Sequence, residues 1–164
     1  MTKFQEIADT LRNSGEKEVI ITINGEKRKI KAAAEYSTIN MEGDTYIKAV
    51  FEDEAVMFII MKDEEVYFTE VYIVDTKIPD SDLGKEKLEF NGKIYKLING
   101  DDYQYTIHLI KGTILDIEGE VRFYDYMPES EDEVLSLGWI VRTGERADVN
   151  QKMISLDNIE IEIL

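Results

Sequence analysis

The chain begins with apolar side chains at helical spacing. Four of them repeat at positions i, i+3, i+4 and i+7, which lays a stripe along one face of a helix: Phe4, Ile7, Ala8 and Leu11. Thr2 followed by Gln5 fits a capping box, and Gly15 is a helix stop signal. The pattern predicts an N-terminal helix laid on a sheet; the alternative is a detachable helix that binds a partner.

After Gly15 the apolar residues recur with the period of a strand. Asn24-Gly25 and Asn91-Gly92 each separate two strand-like runs, in "KEVIITINGEKRKIKA" and in "KLEFNGKIYKLI". Asn-Gly tolerates the positive φ that a type I′ turn requires at both central positions. Both pairs therefore predict β-hairpins.

Two long apolar runs lie between these hairpins. The predicted strands span 55–62 and 65–74, joined by the acidic turn Lys62-Asp63-Glu64-Glu65. Apolar residues occupy both faces of the first strand, with Val56, Phe58 and Ile60 opposed to Met57, Ile59 and Met61. We therefore expect this hairpin at the centre of the sheet with both sides covered, beside a further strand at 45–51.

The second half of the chain continues in strands. Six are predicted, near 86–90, 93–98, 103–110, 120–127, 134–142 and 158–163. The expected fold class is α+β and mostly β: antiparallel meander sheets, as a sandwich or a partly open barrel, with one N-terminal helix. We expect a single compact domain over 1–164; the alternative is two similar β-subdomains, 1–78 and 85–164, joined by loop 79–84.

The net charge of the chain limits the classes of partner that it can bind. The 164 residues include 35 acidic and 19 basic side chains, a formal net charge of −16, which repels phosphate backbones and anionic headgroups. We therefore expect no nucleic-acid partner and no direct membrane insertion. The absence of cysteine excludes disulfides, thiol nucleophiles and cysteine-ligated metals. Because no long apolar run and no signal-peptide pattern occur, we expect a cytoplasmic protein.

The stretch "EVRFYDYM" over 120–127 alternates between two faces. One face carries Val121, Phe123 and Met127, interrupted by Asp125, and the other carries Arg122, Tyr124 and Tyr126. Arginine, tyrosine and tryptophan are enriched at binding hot spots. We predict a partner-binding set made of Arg122, Tyr124, Tyr126 and Trp139; the alternative is that a neighbouring segment covers this face.

Few residues suit catalysis. His108 is the only histidine and alternates with apolar neighbours on a predicted strand, and no serine lies in a G-x-S-x-G motif. The acidic clusters lie at predicted turns, where we expect solvated hairpin tips, and none matches a calcium-binding loop. We therefore predict no catalytic residue, no metal ligand and no cofactor.

Three segments in the second half form a recognisable order: "FNGKIYKLI", "HLIKGTILDIEGEVRFYDY" and "VLSLGWI". This order resembles the second half of a bacterial family of β-domains, the domain of unknown function numbered 4178. The matching positions are Gly92, Tyr95, Leu97, Gly119, Glu120, Asp125, Tyr126, Leu135, Ser136 and Trp139, and Gly138 departs from the pattern. The resemblance implies a β-rich, non-catalytic module with no defined active site.

The sequence favours a non-enzymatic binding or adapter module for a protein partner. Two alternatives stay open. One is a carboxylate-dependent hydrolase or metal-binding protein assembled from the acidic turns. The other is a small-ligand binding protein with a pocket in a barrel-like sheet. Each of these functions is compatible with a homo-oligomer. A cavity with converging carboxylates would favour the hydrolase, whereas a filled apolar interior would favour the adapter.

Overall fold

A computed structural model of the chain describes residues 3–38, 45–62, 65–114, 119–155 and 159–163. The helices are α1 (Lys3–Arg12) and the short 3₁₀ helix η1 (Asp80–Asp82). The strands are β1 (Val19–Ile23), β2 (Glu26–Thr38), β3 (Thr45–Phe51), β4 (Val56–Lys62), β5 (Glu65–Ile73), β6 (Lys87–Phe90), β7 (Lys93–Lys111), β8 (Gly119–Pro128), β9 (Glu133–Ile140), β10 (Glu145–Arg146), β11 (Val149–Met153) and β12 (Ile159–Ile163). The predicted fold class, mostly antiparallel β with one N-terminal helix, is confirmed.

Helix α1 packs on the sheet through its apolar stripe. Three stripe residues are buried: Ile7, Ala8 and Leu11. At the end of the helix, Arg12 donates from Nε to the carboxylate of Glu35 in β2 over 2.6 Å. A cation also suits the C-terminal end of a helix dipole. Thr2 of the predicted capping box lies outside the described residues.

Both predicted Asn-Gly hairpins are confirmed. In the β1–β2 turn, Asn24 and Gly25 have φ angles of 52° and 81°, and in the β6–β7 turn Asn91 and Gly92 have 49° and 76°. No heavy atom lies within 4 Å of the position that a Cβ would take on either glycine. Backbone conformation, and not crowding, therefore selects glycine at both turns.

Strand β7 is longer than predicted. The expected strands at 93–98 and 103–110 form one continuous strand with a bulge between Leu97 and Asn99. The predicted interruption is wrong because β8 pairs across it, with Gly100 opposite Tyr124. A Cβ on Gly100 would lie 2.6 Å from the Tyr124 ring, so glycine is required there by close packing. Strands β10 and β11, whose side chains are mostly polar, were not predicted.

Eight strands form a closed ring of hydrogen-bonded neighbours. The strand order is β12-β1-β2-β3-β4-β5-β11-β9-β8-β7-β6, and the C-terminal part of β2 also pairs with that of β7. This second pairing closes the ring β2-β3-β4-β5-β11-β9-β8-β7. The pairs β2–β7, β5–β11 and β1–β12 each join the first half of the chain to the second.

The largest apolar core lies between α1 and one face of the sheet, and we call it the helix-side core. It draws on α1, β1 to β5 and β12. Its fully buried side chains include Leu11, Ile21, Ile47, Met57, Ile59 and Ile159. Burial of such side chains stabilises the fold by about 1.5–3 kcal/mol each relative to exposure.

A second apolar cluster, which we call the outer cluster, lies under the segment 74–86 that links β5 to β6. Its buried members are Leu88, Tyr95, Tyr126, Leu135 and Leu137. Arg146 holds the segment in place, because its guanidinium donates to the carbonyl oxygen of Ile78 over 2.8 Å and to the carboxylate of Asp80 over 2.7 Å. Asp148 accepts two further hydrogen bonds from the same guanidinium. The segment is therefore held against the second half of the chain.

Candidate functional site

A pocket of about 230 Å³, which we call the ring cavity, lies inside the ring of strands. Its described lining residues come from six strands and one loop: Thr45, Tyr46, Phe58, Ile60, Met61, Asn99, Tyr105, Phe123, Asp125, Ser136, Ala147, Val149 and Gln151. Pockets for drug-sized ligands usually measure about 300–1,000 Å³. The ring cavity therefore suits a smaller molecule.

Strand β4 separates the ring cavity from the helix-side core. Phe58 and Ile60 line the cavity, whereas Met57 and Ile59 are fully buried in the core. Successive residues of a strand point to opposite faces, so these two sets follow from the alternation, whereas Met61 near the end of the strand borders both interiors. The apolar residues on both faces of this strand therefore serve two different interiors.

Aromatic rings form one wall of the ring cavity. Tyr46 lies near Phe58 and Tyr105, with ring centroids 4.9 Å and 5.5 Å away, and Tyr36 stacks on it at 4.6 Å. Phe123 lines the cavity from β8. Stacked and edge-to-face contacts of this kind are favourable and restrict the rings. The wall therefore presents aromatic surface that is already ordered.

A row of polar side chains lies across β7, β8 and β9. Asn99 faces Asp125 across one strand pair, and Asp125 faces Ser136 across the next. Ser136 Oγ donates to Asp125 Oδ1 over 2.6 Å, and Gln151 Nε2 donates to Ser136 Oγ over 3.2 Å. Thr69 Oγ1 donates to Gln151 Oε1 over 3.1 Å. Each hydrogen bond in this chain of side chains thus runs towards the carboxylate of Asp125.

Tyr126, one of the predicted partner-binding residues, is fully buried in the outer cluster. Its hydroxyl accepts a hydrogen bond from the Gly84 amide over 2.9 Å and donates to the Lys85 carbonyl oxygen over 2.8 Å. Burial is the main cause that raises the pKa of Tyr126. At Tyr126 the structure follows the alternative, in which a neighbouring segment covers this face, because segment 74–86 lies over it.

The other three predicted partner-binding residues lie on the outer face of β8 and β9. Arg122 is exposed and faces the half-buried Trp139 across the strand pair. Tyr124 is half-buried and contacts Trp139 edge to face, with ring centroids 6.3 Å apart. Tyr124 also lies against Gly84 and Gly100, which makes it part of the packing over the outer cluster. Arg122 and Trp139 are therefore the accessible part of the predicted set.

The carboxylates do not converge in the part of the chain that the structure describes. No group of three or more His, Asp or Glu side chains there could hold a metal ion. Asp125 is the one carboxylate among the described residues that line the ring cavity.

The buried Glu133 accepts hydrogen bonds from the hydroxyl of Tyr95 and from Asn150 Nδ2. Burial, together with the hydrogen bond to Glu133, raises the pKa of the Tyr95 hydroxyl.

The sequence reasoning missed the cavity residues Asp125, Ser136 and Gln151 as a group. One signal was present, since Asp125 interrupts the apolar alternation of Val121, Phe123 and Met127. A single polar residue on an otherwise apolar strand face indicates a buried polar partner or a cavity. Gln151 had no comparable signal, because β11 contains few apolar residues.

No helix in the described ranges is long and apolar enough to cross a membrane. The proposed resemblance to the domain of unknown function numbered 4178 stays a prediction. No protein-family model, curated protein or solved structure matches the chain.

Proposed function

We propose that this protein binds a small molecule in the ring cavity. The observation that carries the proposal is the cavity itself, which joins an aromatic wall to a row of hydrogen-bonded polar side chains. Ligand sites typically combine mostly apolar surface with a few polar groups that fix the ligand's orientation. Of the functions that the sequence left open, small-ligand binding therefore has the strongest support.

The side chains in the cavity walls are held in place by their neighbours, which supports this function. Tyr46 is held by three aromatic neighbours, and Ser136 is held between Asp125 and Gln151. A site whose side chains are already ordered loses little conformational entropy when the ligand binds. We therefore expect binding without a large rearrangement of the strands.

Ligand-observed NMR against a library of small metabolites tests the proposal, with two variants that add the same ring at cross-strand positions. Val149 lines the cavity, and its register partner Ile73 is 91% exposed. Val149→Phe should fill the cavity and abolish binding of the hits. Ile73→Phe should leave binding unchanged, because its ring extends into solvent.

The filling variant must also be shown to fold. If Val149→Phe melts far below the wild type, Ala147→Leu provides a smaller filling of the same cavity. Hits that bind both filling variants as tightly as the wild type would contradict the proposal. A library without any hit on the wild-type protein would do so as well.

We propose a second candidate function, docking of a protein partner on the outer face of β8 and β9. The observation that favours it is the exposed Arg122 beside Trp139, with the exposed apolar side chain of Val141 two residues after Trp139 in sequence. Arginine and tryptophan are enriched at hot spots of interfaces. Both candidates assume a cytoplasmic protein.

A pull-down with the purified chain tests this second candidate. Arg122→Glu should reduce capture of a specific partner at least tenfold, because a reversed charge at a desolvated contact is strongly unfavourable. Lys27→Glu is the control, since Lys27 is an exposed cation on β2. Equal losses in the two variants would indicate an effect of net charge and contradict a local docking site.

A further inference from the structure

The direction of the hydrogen bonds in the ring cavity indicates which ligand chemistry the site recognises. Thr69 donates to Gln151, Gln151 donates to Ser136, and Ser136 donates to Asp125. The hydroxyl protons of Thr69 and Ser136 and one amide proton of Gln151 are therefore directed to neighbours, and the series ends at an ionisable acceptor. A ligand group that bonds to this end of the series must supply a proton donor.

The aromatic wall favours the same kind of ligand. The rings of Tyr46, Phe58 and Tyr105 line one side of the cavity, and the face of an aromatic ring carries negative partial charge. Rings attract ammonium groups within about 6 Å by about 0.5–2 kcal/mol, with the larger value in sites shielded from water. The aromatic wall and the carboxylate of Asp125 thus both attract a cation.

The charges at the cavity and on the whole chain disfavour an anionic ligand. None of the described residues that line the cavity is Lys, Arg or His. The chain as a whole has a net charge of −16, which raises the local concentration of cations and lowers that of anions. A carboxylate or phosphate ligand would meet no cationic side chain among those lining residues.

We propose that the ring cavity binds a small organic ammonium ion, an amine on an apolar or aromatic body, with Asp125 as its counter-ion. This inference rests on the proposed ligand-binding function and specifies its ligand class. The ammonium group lies between the carboxylate and the aromatic faces, and the body contacts Phe123, Val149 and Ile60. Ser136 and Gln151 are positioning residues that hold the carboxylate in place.

Isothermal titration calorimetry with three probes of nearly equal shape tests the inference on the wild-type protein. The probes are 2-phenylethylamine, 2-phenylethanol and phenylacetate, which are cationic, neutral and anionic at neutral pH. We expect the amine to bind roughly tenfold or more tightly than the alcohol, and the anion to bind most weakly. This series needs no variant and is therefore independent of any effect on folding.

A matched pair of variants then locates the charge effect. Asp125→Asn should reduce amine affinity to that of the alcohol and leave alcohol affinity nearly unchanged. Glu26→Gln removes the same charge at the exposed β1–β2 turn, outside the cavity, and should retain the preference for the amine. If Asp125→Asn does not fold, Ser136→Ala should weaken the amine more than the alcohol, because it releases the carboxylate from its hydrogen bond.

The outcomes separate the two proposals. Equal affinity for amine and alcohol, both lost in Val149→Phe, would overturn the cation inference and uphold small-molecule binding. Preferential binding of phenylacetate would overturn the inference in the same way. Absence of binding by all three probes would also overturn it, and the library experiment with Val149→Phe and Ile73→Phe would then decide the broader function by itself.

Discussion

The helix-side core and the ring cavity share strands β3 and β4 but differ in how their interiors are filled. On one face of β4, Met57 and Ile59 are completely buried among apolar neighbours. On the other face, Phe58 and Ile60 are half-buried beside space and hydrogen-bonded polar groups. The same strand thus supports a packed interior that stabilises the fold and an open interior that can accept a ligand.

This difference shows why apolar pattern alone is an incomplete guide to packing. Both faces of β4 have the composition of a core strand, yet one of them leaves room for a small molecule. Apolar side chains that border a cavity make fewer contacts with other protein atoms than those in a filled core. The composition of a strand face therefore does not by itself distinguish the wall of a cavity from a filled core.

The largest expected effect concerns the two halves of the chain. The helix-side core needs Ile159 of β12, and the ring needs the pairs β2–β7 and β5–β11. We therefore expect fragments 1–78 and 85–164, expressed separately, not to fold. Circular dichroism with urea titration checks this, and a cooperative transition in either fragment would support two independent subdomains.

Substitutions at adjacent positions of β4 compare the two interiors directly. Ile59→Ala should lower the free energy of unfolding by about 2–5 kcal/mol, because it leaves a void in a filled core. Ile60→Ala should cost about 1 kcal/mol, because its side chain is only half-buried and already borders space. Urea denaturation measures both values, and equal losses would mean that the ring cavity is packed as tightly as the core.

The two Asn-Gly turns test whether the regions unfold together. Gly25→Val and Gly92→Val should each cost about 1–3 kcal/mol, because a β-branched residue resists positive φ. The first turn adjoins the helix-side core and the second adjoins the outer cluster. Thermal melts of both variants should show one transition shifted by similar amounts, while Gly→Asn at the same positions should shift it less.

A melt with two separate transitions in only one of these variants would contradict a single cooperative unit. A wild-type melting temperature in both variants would contradict the assignment of type I′ turns. The comparison with asparagine distinguishes backbone strain from a general intolerance of larger side chains, because both glycines have open space around them.

The smallest effect concerns alkaline pH and the outer cluster. The pKa of Tyr95 is raised above its ordinary value of 10.0, so the folded state favours the protonated hydroxyl. Its contribution to stability is therefore complete below about pH 10 and is lost as the pH rises further. Urea titrations on either side of pH 10 should show a smaller alkaline loss in Tyr95→Phe than in the wild type. An equal loss would place the alkaline sensitivity elsewhere.

The parts of the fold that local chemistry determines could be predicted from the sequence. The positive φ angles at Asn24-Gly25 and Asn91-Gly92 depend on those residues alone, and the α1 stripe depends on spacing within about two turns of helix. The extent of β7 could not be predicted in this way. Gly100 looks like a break in isolation, and only the ring of Tyr124 on the neighbouring strand shows why glycine stands there.

The candidate site depended on pairings that local patterns do not contain. Asp125, Ser136 and Gln151 come together because β8, β9 and β11 are neighbours in the sheet. The strand that carries Gln151 is polar and was not predicted, since its buried polar groups are satisfied by partners distant in sequence. Likewise, the burial of Tyr126 follows from the path of segment 74–86, which the predicted loop 79–84 did not specify.

The pairing of β1 with β12 has a consequence for how quickly the chain folds. All the other described strands lie between these two in the sequence, so their pairing closes a very long loop. Proteins dominated by contacts between distant residues fold slowly, in milliseconds to seconds, because loop closure is entropically costly before such contacts form. Until β12 arrives, one edge of β1, rich in isoleucine, stays open to pairing with other chains. Refolding yield should therefore fall as protein concentration rises, and this protein is expected to depend on dilution or chaperones during folding.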